Sequence, residues 1–137
     1  MWDGAPEACT SPASHTFADD GAHSVFVTAT DPAGNPGLPS SSFSYTLDRR
    51  QPQITFDAVP PDGSTRFTIL WHVDETQVSF FCGVDGGPAN TCVTTDGVNG
   101  SSFVDVRSSG TTQHHFTVEA IDQAGNTNIG VATWTTM

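Results

Sequence analysis

The chain of 137 residues contains no lysine and only four arginines, against fifteen aspartates and glutamates, so its formal net charge is −11. Nucleic acids and anionic membranes repel such a surface, so we expect neither as a partner. Without lysine, no lysine–asparagine isopeptide crosslink can form, and any covalent reinforcement has to come from cysteine. The acidic residues are scattered along the chain, which is typical of a solvated, salt-tolerant surface.

The sequence also lacks long hydrophobic runs and helical periodicity. No run of eighteen apolar residues occurs and no basic segment with an apolar stretch follows Met1, so we predict neither a membrane span nor a signal peptide. Proline or glycine interrupts almost every window of twelve residues, while Thr, Ser, Gly, Asp and Val dominate. This composition predicts an all-β chain. Sequence motifs of nucleophile elbows, redox cysteine pairs and phosphate loops are also missing, so no enzymatic activity is expected.

The chain contains an internal repeat. Asp-x-Ala-Gly-Asn occurs at residues 31–35 and again at residues 122–126, ninety-one positions later. The same offset relates His23 to His114, Val27 to Val118, and Phe43 to Trp134, with apolar residues spaced two apart as in a strand with one buried face. Upstream, WDGAPEAC at residues 2–9 matches VDGGPANTC at residues 84–92 after one inserted residue. These matches indicate two copies of one β-unit.

The two copies differ in length. The second contains seven predicted strands, near residues 53–59, 65–73, 77–84, 90–94, 101–107, 114–121 and 130–136. Seven short strands in this length are typical of an immunoglobulin-like antiparallel β-sandwich. The first retains only predicted strands near residues 13–18, 23–30 and 41–47. We therefore predict a partial repeat over residues 1–48 and a complete one over residues 49–137. Trp71 shares the parity of Phe67, Ile69 and Val73, so we expect it in the core. Trp134 has the parity of Phe43 and is expected in the core as well.

These residues resemble a known family, the bacterial immunoglobulin-like repeats of large secreted or surface-anchored adhesive proteins. The resemblance rests on a spaced pattern: Cys82, Asp85, Gly86, Gly87, Cys92, His114, Asp122, Gly125, Asn126 and Trp134. It implies an extracellular or cell-surface stalk or adhesive module, arranged in tandem and without catalytic residues. The chain departs from the family at residues 94–103, which look longer than usual and are interpreted as an elaborated loop.

The three cysteines suggest how the repeats are reinforced. Cys82 and Cys92 flank a tight turn at residues 85–88, so we expect a disulfide that closes a loop of about ten residues and contributes roughly 2 to 3 kcal/mol. Such a bond indicates oxidising surroundings. Cys9 takes the place of Cys92 in the first copy, and the place of Cys82 falls one residue before Met1.

The unmatched cysteine leaves three interpretations open. The one we favour is that the sequence is a segment of a longer secreted chain that begins inside a repeat. Alternatively, strands from a neighbouring subunit complete the half-sandwich. In a third arrangement the early strands pack onto the second repeat and Cys9 stays a free thiol.

The repeated Asp-x-Ala-Gly-Asn motif fits a type I turn, with Asp31 or Asp122 at the first position and glycine at the fourth. Asn35 and Asn126 follow and also tolerate left-handed geometry. The alternative is a calcium site, because aspartate and nearby carbonyl oxygens are the ligands calcium prefers. No other metal site is expected, since the neighbouring histidines at 114 and 115 point to opposite faces of a strand.

We therefore expect a non-catalytic, extracellular structural or adhesive module that acts as a stalk spacer or filament subunit. Its partners would be neighbouring repeats or subunits, joined by strand or edge contacts. The alternative is a ligand-binding module for a host or cell-surface protein or a glycan, with calcium as a cofactor and with residues 94–103 or Trp2 at the binding site. No other cofactor is expected.

Overall fold

The computed structural model describes residues 1–87, 90–94, 96–106 and 110–137. Every regular element in this described part is a β-strand, and none of it forms a helix that could cross a membrane. The chain divides into two compact units, Met1–Arg49 and Arg50–Met137, which we call the N-terminal unit and the C-terminal unit. Pro88 of the predicted turn and residue 107 of a predicted strand lie outside the described residues.

In its described residues, the C-terminal unit contains eight strands in two four-stranded antiparallel sheets. They are β3 (Ile54–Ala58), β4 (Arg66–Val73), β5 (Ser79–Val84), β6 (Asn90–Thr91), β7 (Val93–Thr94), β8 (Asn99–Asp105), β9 (Thr112–Ile121) and β10 (Thr127–Thr136). One sheet has the order β3-β4-β8-β7 and the other has the order β10-β9-β5-β6. This arrangement confirms the predicted all-β, antiparallel fold class.

Alternation along the strands builds the core of the C-terminal unit. In β4, Ile69, Trp71 and Val73 are buried, whereas Thr68 and Leu70 on the other face are exposed. A strand with one buried face shows this period of two. Trp71 is 1% exposed and Trp134 is 3% exposed, so the prediction that both lie in the core is confirmed.

The predicted strand near residues 90–94 changes sheets partway along. Its first part, β6, pairs with β5, and its second part, β7, pairs with β8 in the other sheet. Cys92 lies between the two parts, is buried, and forms a disulfide with Cys82 of β5. This bond therefore fixes the crossing point of the chain to the centre of one sheet.

The interpretation of residues 94–103 as an elaborated loop is wrong. Thr94 pairs with Gly100 and Val93 pairs with Ser101, so most of the segment belongs to a hairpin between β7 and β8. Asp96 closes the connection, because its carboxylate accepts hydrogen bonds from the backbone N–H groups of Val98 and Asn99, at 2.9 and 2.7 Å. Aspartate favours such tight turns for this reason.

The N-terminal unit, described over its full length, contains one two-stranded antiparallel sheet of β1 (Gly21–Val25) and β2 (Phe43–Leu47). The strand predicted near residues 13–18 does not form. There, the ring of Phe17 stacks on His23 at 3.9 Å and the ring of His15 stacks on Trp2 at 4.8 Å. A strand is stable when it pairs with a neighbour, and in this unit Phe17 packs onto β1 and His15 packs onto Trp2 instead.

Candidate functional site

The two units share an aspartate–histidine contact at matching positions of the repeat, which we call the Asp–His lock. In the C-terminal unit, Asp85 accepts a hydrogen bond from His114 Nδ1 at 2.7 Å and another from the backbone N–H of His115 at 2.9 Å. In the N-terminal unit, Asp3 accepts from His23 Nδ1 at 2.7 Å and from the backbone N–H of Ser24 at 2.6 Å. The lock therefore ties a turn to the strand that runs beside it.

Backbone geometry explains how each aspartate reaches its histidine. Asp3 and Asp85 have φ angles of 47° and 53°, in the left-handed region, and a glycine follows each of them. Aspartate tolerates this region better than most residues because its short side chain can form local hydrogen bonds. The turn thus directs the carboxylate back onto the strand.

In the N-terminal unit, the aspartate and the histidine of the lock each shift the pKa of the other toward its charged form. The pKa of Asp3 lies below its usual value, chiefly because His23 donates a hydrogen bond to it and secondarily because the Ser24 N–H does. The pKa of His23 is raised by Asp3 first and by the backbone carbonyl of Asp19 second. For Asp85, burial acts to raise the pKa, but the hydrogen bonds from His114 and His115 outweigh it and lower the pKa.

The sequence predicts no metal site at His114 but does not by itself name the residue that His114 contacts. A signal was available, because both members of the pair recur: Asp3 and Asp85 occupy matching places in the repeat, and His23 and His114 do as well. A carboxylate and a histidine that recur together are candidates for a contact. His115, beside His114, is exposed, so the two histidines do face opposite ways.

The lock in the C-terminal unit superficially resembles a catalytic triad. The Nε2 atom of His114 lies 3.2 Å from the hydroxyl oxygen of Thr136, on the side of the ring opposite Asp85. Thr136 is fully buried, and its hydroxyl donates to the carbonyl oxygen of Thr112 at 3.3 Å. A nucleophile has to reach its substrate, whereas the hydroxyl of Thr136 is buried and bonds within the unit.

The Asp-x-Ala-Gly-Asn motif forms the same turn in both units. The carboxylate of Asp31 accepts from the backbone N–H and the side-chain amide of Asn35, at 2.9 and 3.0 Å. Asp122 accepts from the same two groups of Asn126, both at 2.8 Å. Gly34 and Gly125 follow with φ of 90° and 91°, and each N–H donates to the carbonyl oxygen of the aspartate.

These bonds bear on the calcium alternative. In each turn both carboxylate oxygens already accept from asparagine, and these bonds hold the pKa of Asp31 below its usual value. Glu75 offers a carboxylate oxygen within 4.8 Å of one from Asp122. Calcium takes six to eight oxygen ligands, so these two side chains would supply only a minority of a site.

Equivalent positions of the two units differ sharply in exposure. Val118 and Trp134 in the C-terminal unit are 0% and 3% exposed, whereas their counterparts Val27 and Phe43 in the N-terminal unit are 54% and 64% exposed. In the C-terminal unit the sheet that contains β4 covers this face. We call the surface formed by Val25 of β1, Val27 just after it, and Phe43 and Tyr45 of β2 the open face.

A groove of about 610 Å³ runs along one edge of the open face. Part of residues 25–30, which begin in β1, forms one wall, and part of residues 9–13 forms the other. Cys9, an exposed free cysteine, and Trp2 both line this groove. The groove and the open face are the candidate functional site, an apolar strand-sized surface with a thiol at its margin.

Neither known protein families nor curated proteins match this chain: the comparison with family models gives no match, and the comparison with curated sequences gives none. Function therefore has to be argued from the residues and the geometry described above.

Proposed function

We propose that this protein is a non-catalytic, extracellular structural or adhesive module with an immunoglobulin-like fold, acting as a stalk spacer or filament subunit. The strand orders β3-β4-β8-β7 and β10-β9-β5-β6 support the immunoglobulin-like assignment. Immunoglobulin domains of the constant type pair their first, second, fifth and fourth strands in one sheet and their third, sixth and seventh strands in the other. Counting β6 and β7 as one strand that changes sheets gives the same order here.

The extracellular location is supported by the disulfide between Cys82 and Cys92. Structural disulfides persist in oxidising compartments and are rare in reducing ones. The bond is buried at both cysteines, so it reinforces the sandwich. A net charge of −11 also suits a solvated module that must stay soluble beside many copies of itself.

The observation that carries the proposal is the recurrence of the same structural contacts in both units. The Asp–His lock and the Asp-x-Ala-Gly-Asn turn occur in both units with distances that agree to within about 0.3 Å. Both features position backbone, and both use their polar groups internally. Repetition of such scaffold contacts is typical of modular proteins in which each repeat contacts its neighbours.

The proposal is tested by presenting the protein to a glycan array and by melting it, each with and without a calcium chelator. A spacer is expected to bind no glycan and to melt at the same temperature in both conditions. Specific glycan binding, or a melting temperature that falls on chelation, would favour the alternative. An Asp122→Asn variant serves as the control for calcium, since this change removes a charged ligand but keeps an oxygen in place.

The alternative is a calcium-dependent module that binds a carbohydrate or a protein. The proximity of Glu75 and Asp122 supports its calcium component, and the exposed ring of Phe43 supports its ligand component. Exposed aromatic rings can stack on sugars. The stacking of Trp2 on His15 covers one of its ring faces, which makes Phe43 the better platform.

A further inference from the structure

The groove of the N-terminal unit lies at the position that a strand occupies in the C-terminal unit. In the C-terminal unit β5 lies between β9 and β6. One wall of the groove, within residues 25–30, corresponds to β9, and the other wall begins at Cys9, which corresponds to Cys92 directly after β6. Residues 1–3 occupy the position of the end of β5, because the Met1 amino group donates to the Phe26 carbonyl at 2.7 Å and the Asp3 N–H donates to the Ser24 carbonyl at 2.9 Å. The groove extends along residues 27–30, past the point where Met1 pairs with Phe26.

Backbone groups along the wall are oriented to accept a strand. The N–H and C=O of Phe26 bond to Met1, whereas the N–H and C=O of Val27 bond to Ser40 on the opposite side. Successive residues of a strand point these groups to alternate sides. The N–H and C=O of Thr28 are therefore directed into the groove, where an added strand would pair with them.

The C-terminal unit shows which side chains such a strand would carry. In the pairing of β5 with β9, Cys82 lies opposite Val118 and Phe80 lies opposite Ala120. In the first copy of the repeat, Val27 and Ala29 take the places of Val118 and Ala120, and both line the groove. Cys9 corresponds to Cys92, the residue to which Cys82 is bonded. A cysteine opposite Val27 would thus lie beside Cys9.

We propose that the groove binds an extended strand of the pattern aromatic–x–cysteine, antiparallel to residues 27–30 and in line with residues 1–3. Its aromatic side chain lies opposite Ala29, and its cysteine lies opposite Val27 and forms a disulfide with Cys9. The two thiols lose two hydrogens in forming the bond, and a small-molecule disulfide such as oxidised glutathione takes them up and is released as two thiols. The strand begins to cover the open face in the way that β5 helps to close the C-terminal unit.

This inference rests on the proposed modular role, because it assumes that the N-terminal unit is a repeat in which the position corresponding to most of β5 is open. The test uses the full chain with a blocked peptide of residues 77–82, acetyl-QVSFFC-amide, in a glutathione redox buffer. The control peptide is acetyl-QVSFCF-amide, which has the same composition but moves cysteine to the opposite face of the strand. Intact-mass and peptide-map analysis measures the fraction of Cys9 bonded to each peptide.

We expect the first peptide to capture Cys9 about tenfold more completely than the control, because pairing raises the effective concentration of its thiol near Cys9. Val27→Asp is expected to abolish this preference, since a carboxylate in the groove opposes strand binding. Val131→Asp is the matched control, as both valines are 54% exposed and Val131 lies on β10 of the other unit. Circular dichroism spectra of both variants check that the fold is retained.

Three results would overturn the proposal. Equal capture of the two peptides would show that Cys9 is merely an accessible thiol. Capture on Cys82 or Cys92 in place of Cys9 would show that the register is wrong. A Cys9–Cys9 dimer that forms in preference to the peptide adduct would make a second copy of the chain the occupant. None of these results would alter the glycan and chelation test, so failure of the strand site and failure of the modular role remain distinguishable.

Discussion

Gly100 of β8 lies directly under the indole of Trp71, and this contact makes a strong prediction for the variant Gly100→Ala. The two residues pair across β4 and β8. A Cβ atom added at Gly100 would lie 2.3 Å from both Cε2 and Cζ2 of Trp71 and 2.5 Å from its Nε1. Ordinary contacts begin near 3.4 Å, so the indole would have to move by roughly 1 Å.

The indole has little room for such a move. Trp71 is 1% exposed, and its ring lies 5.5 Å from the ring of Phe116 and 6.0 Å from that of Phe80, measured between centroids. Overpacking a well-filled core costs about 1 to 3 kcal/mol. We expect Gly100→Ala to reach the top of this range, about 3 kcal/mol, and to lower the melting temperature by roughly 12 to 24 °C for a domain of this size.

Urea unfolding followed by circular dichroism measures this loss. Ser101→Ala is the matched control, because Ser101 is the next residue on β8 and faces away from Trp71, and its loss is expected to stay within about 0.5 kcal/mol. Adding Trp71→Phe to Gly100→Ala is expected to recover part of the stability, since a smaller ring leaves space for the methyl group. A Gly100→Ala variant as stable as Ser101→Ala would refute the packing described here.

Three further predictions concern the disulfide and the Asp–His lock. Replacing both Cys82 and Cys92 by serine should cost roughly 2 to 3 kcal/mol in urea unfolding, and a loss no larger than that of Cys9→Ser would contradict it. The Asp85 pKa is lowered on folding, so its stabilisation is complete at neutral pH and is lost as the pH falls below about 4. Urea unfolding should therefore show the stability gap between the parent and Asp85→Asn shrinking in acid, and a gap that stays constant down to pH 2.5 would count against this. The pKa of His23 is raised, so the stability that protonated His23 contributes is complete below about pH 6.5 and is lost as the pH rises through the higher folded pKa. An NMR titration of the His23 ring that gives a pKa at or below about 6.5 would exclude this contact.

Much of the C-terminal unit could be predicted from the sequence because a single physical rule governs it. Alternating apolar residues identify strands with one buried face, and the predictions for Trp71 and Trp134 follow from that alternation. Proline and glycine residues between the strands predict the turns, and the short spacing of Cys82 and Cys92 predicts their disulfide. The local sequence pattern was sufficient to predict these features because the tertiary packing buries the same residues that the pattern marks as apolar.

Other features depend on contacts that no local pattern encodes. The segment near residues 13–18 has alternation typical of a strand, but a strand needs a partner, and the ring of Phe17 stacks on His23 in its place. The switch of sheets at Cys92 and the hairpin over residues 94–103 follow from pairing across the sandwich. The close approach of Trp71 to Gly100 likewise depends on the register of two strands.

Amide hydrogen exchange at Thr28 and Glu119 tests the central claim most directly. The repeat makes these residues equivalent, and the claim is that β5 pairs with Glu119 while the corresponding groove beside Thr28 is open. Amide protection spans a range from almost none at open edges to the full stability of the fold in the core. We predict that the amide of Glu119 exchanges at least about a thousandfold more slowly than that of Thr28. Equal protection of the two amides would contradict the account.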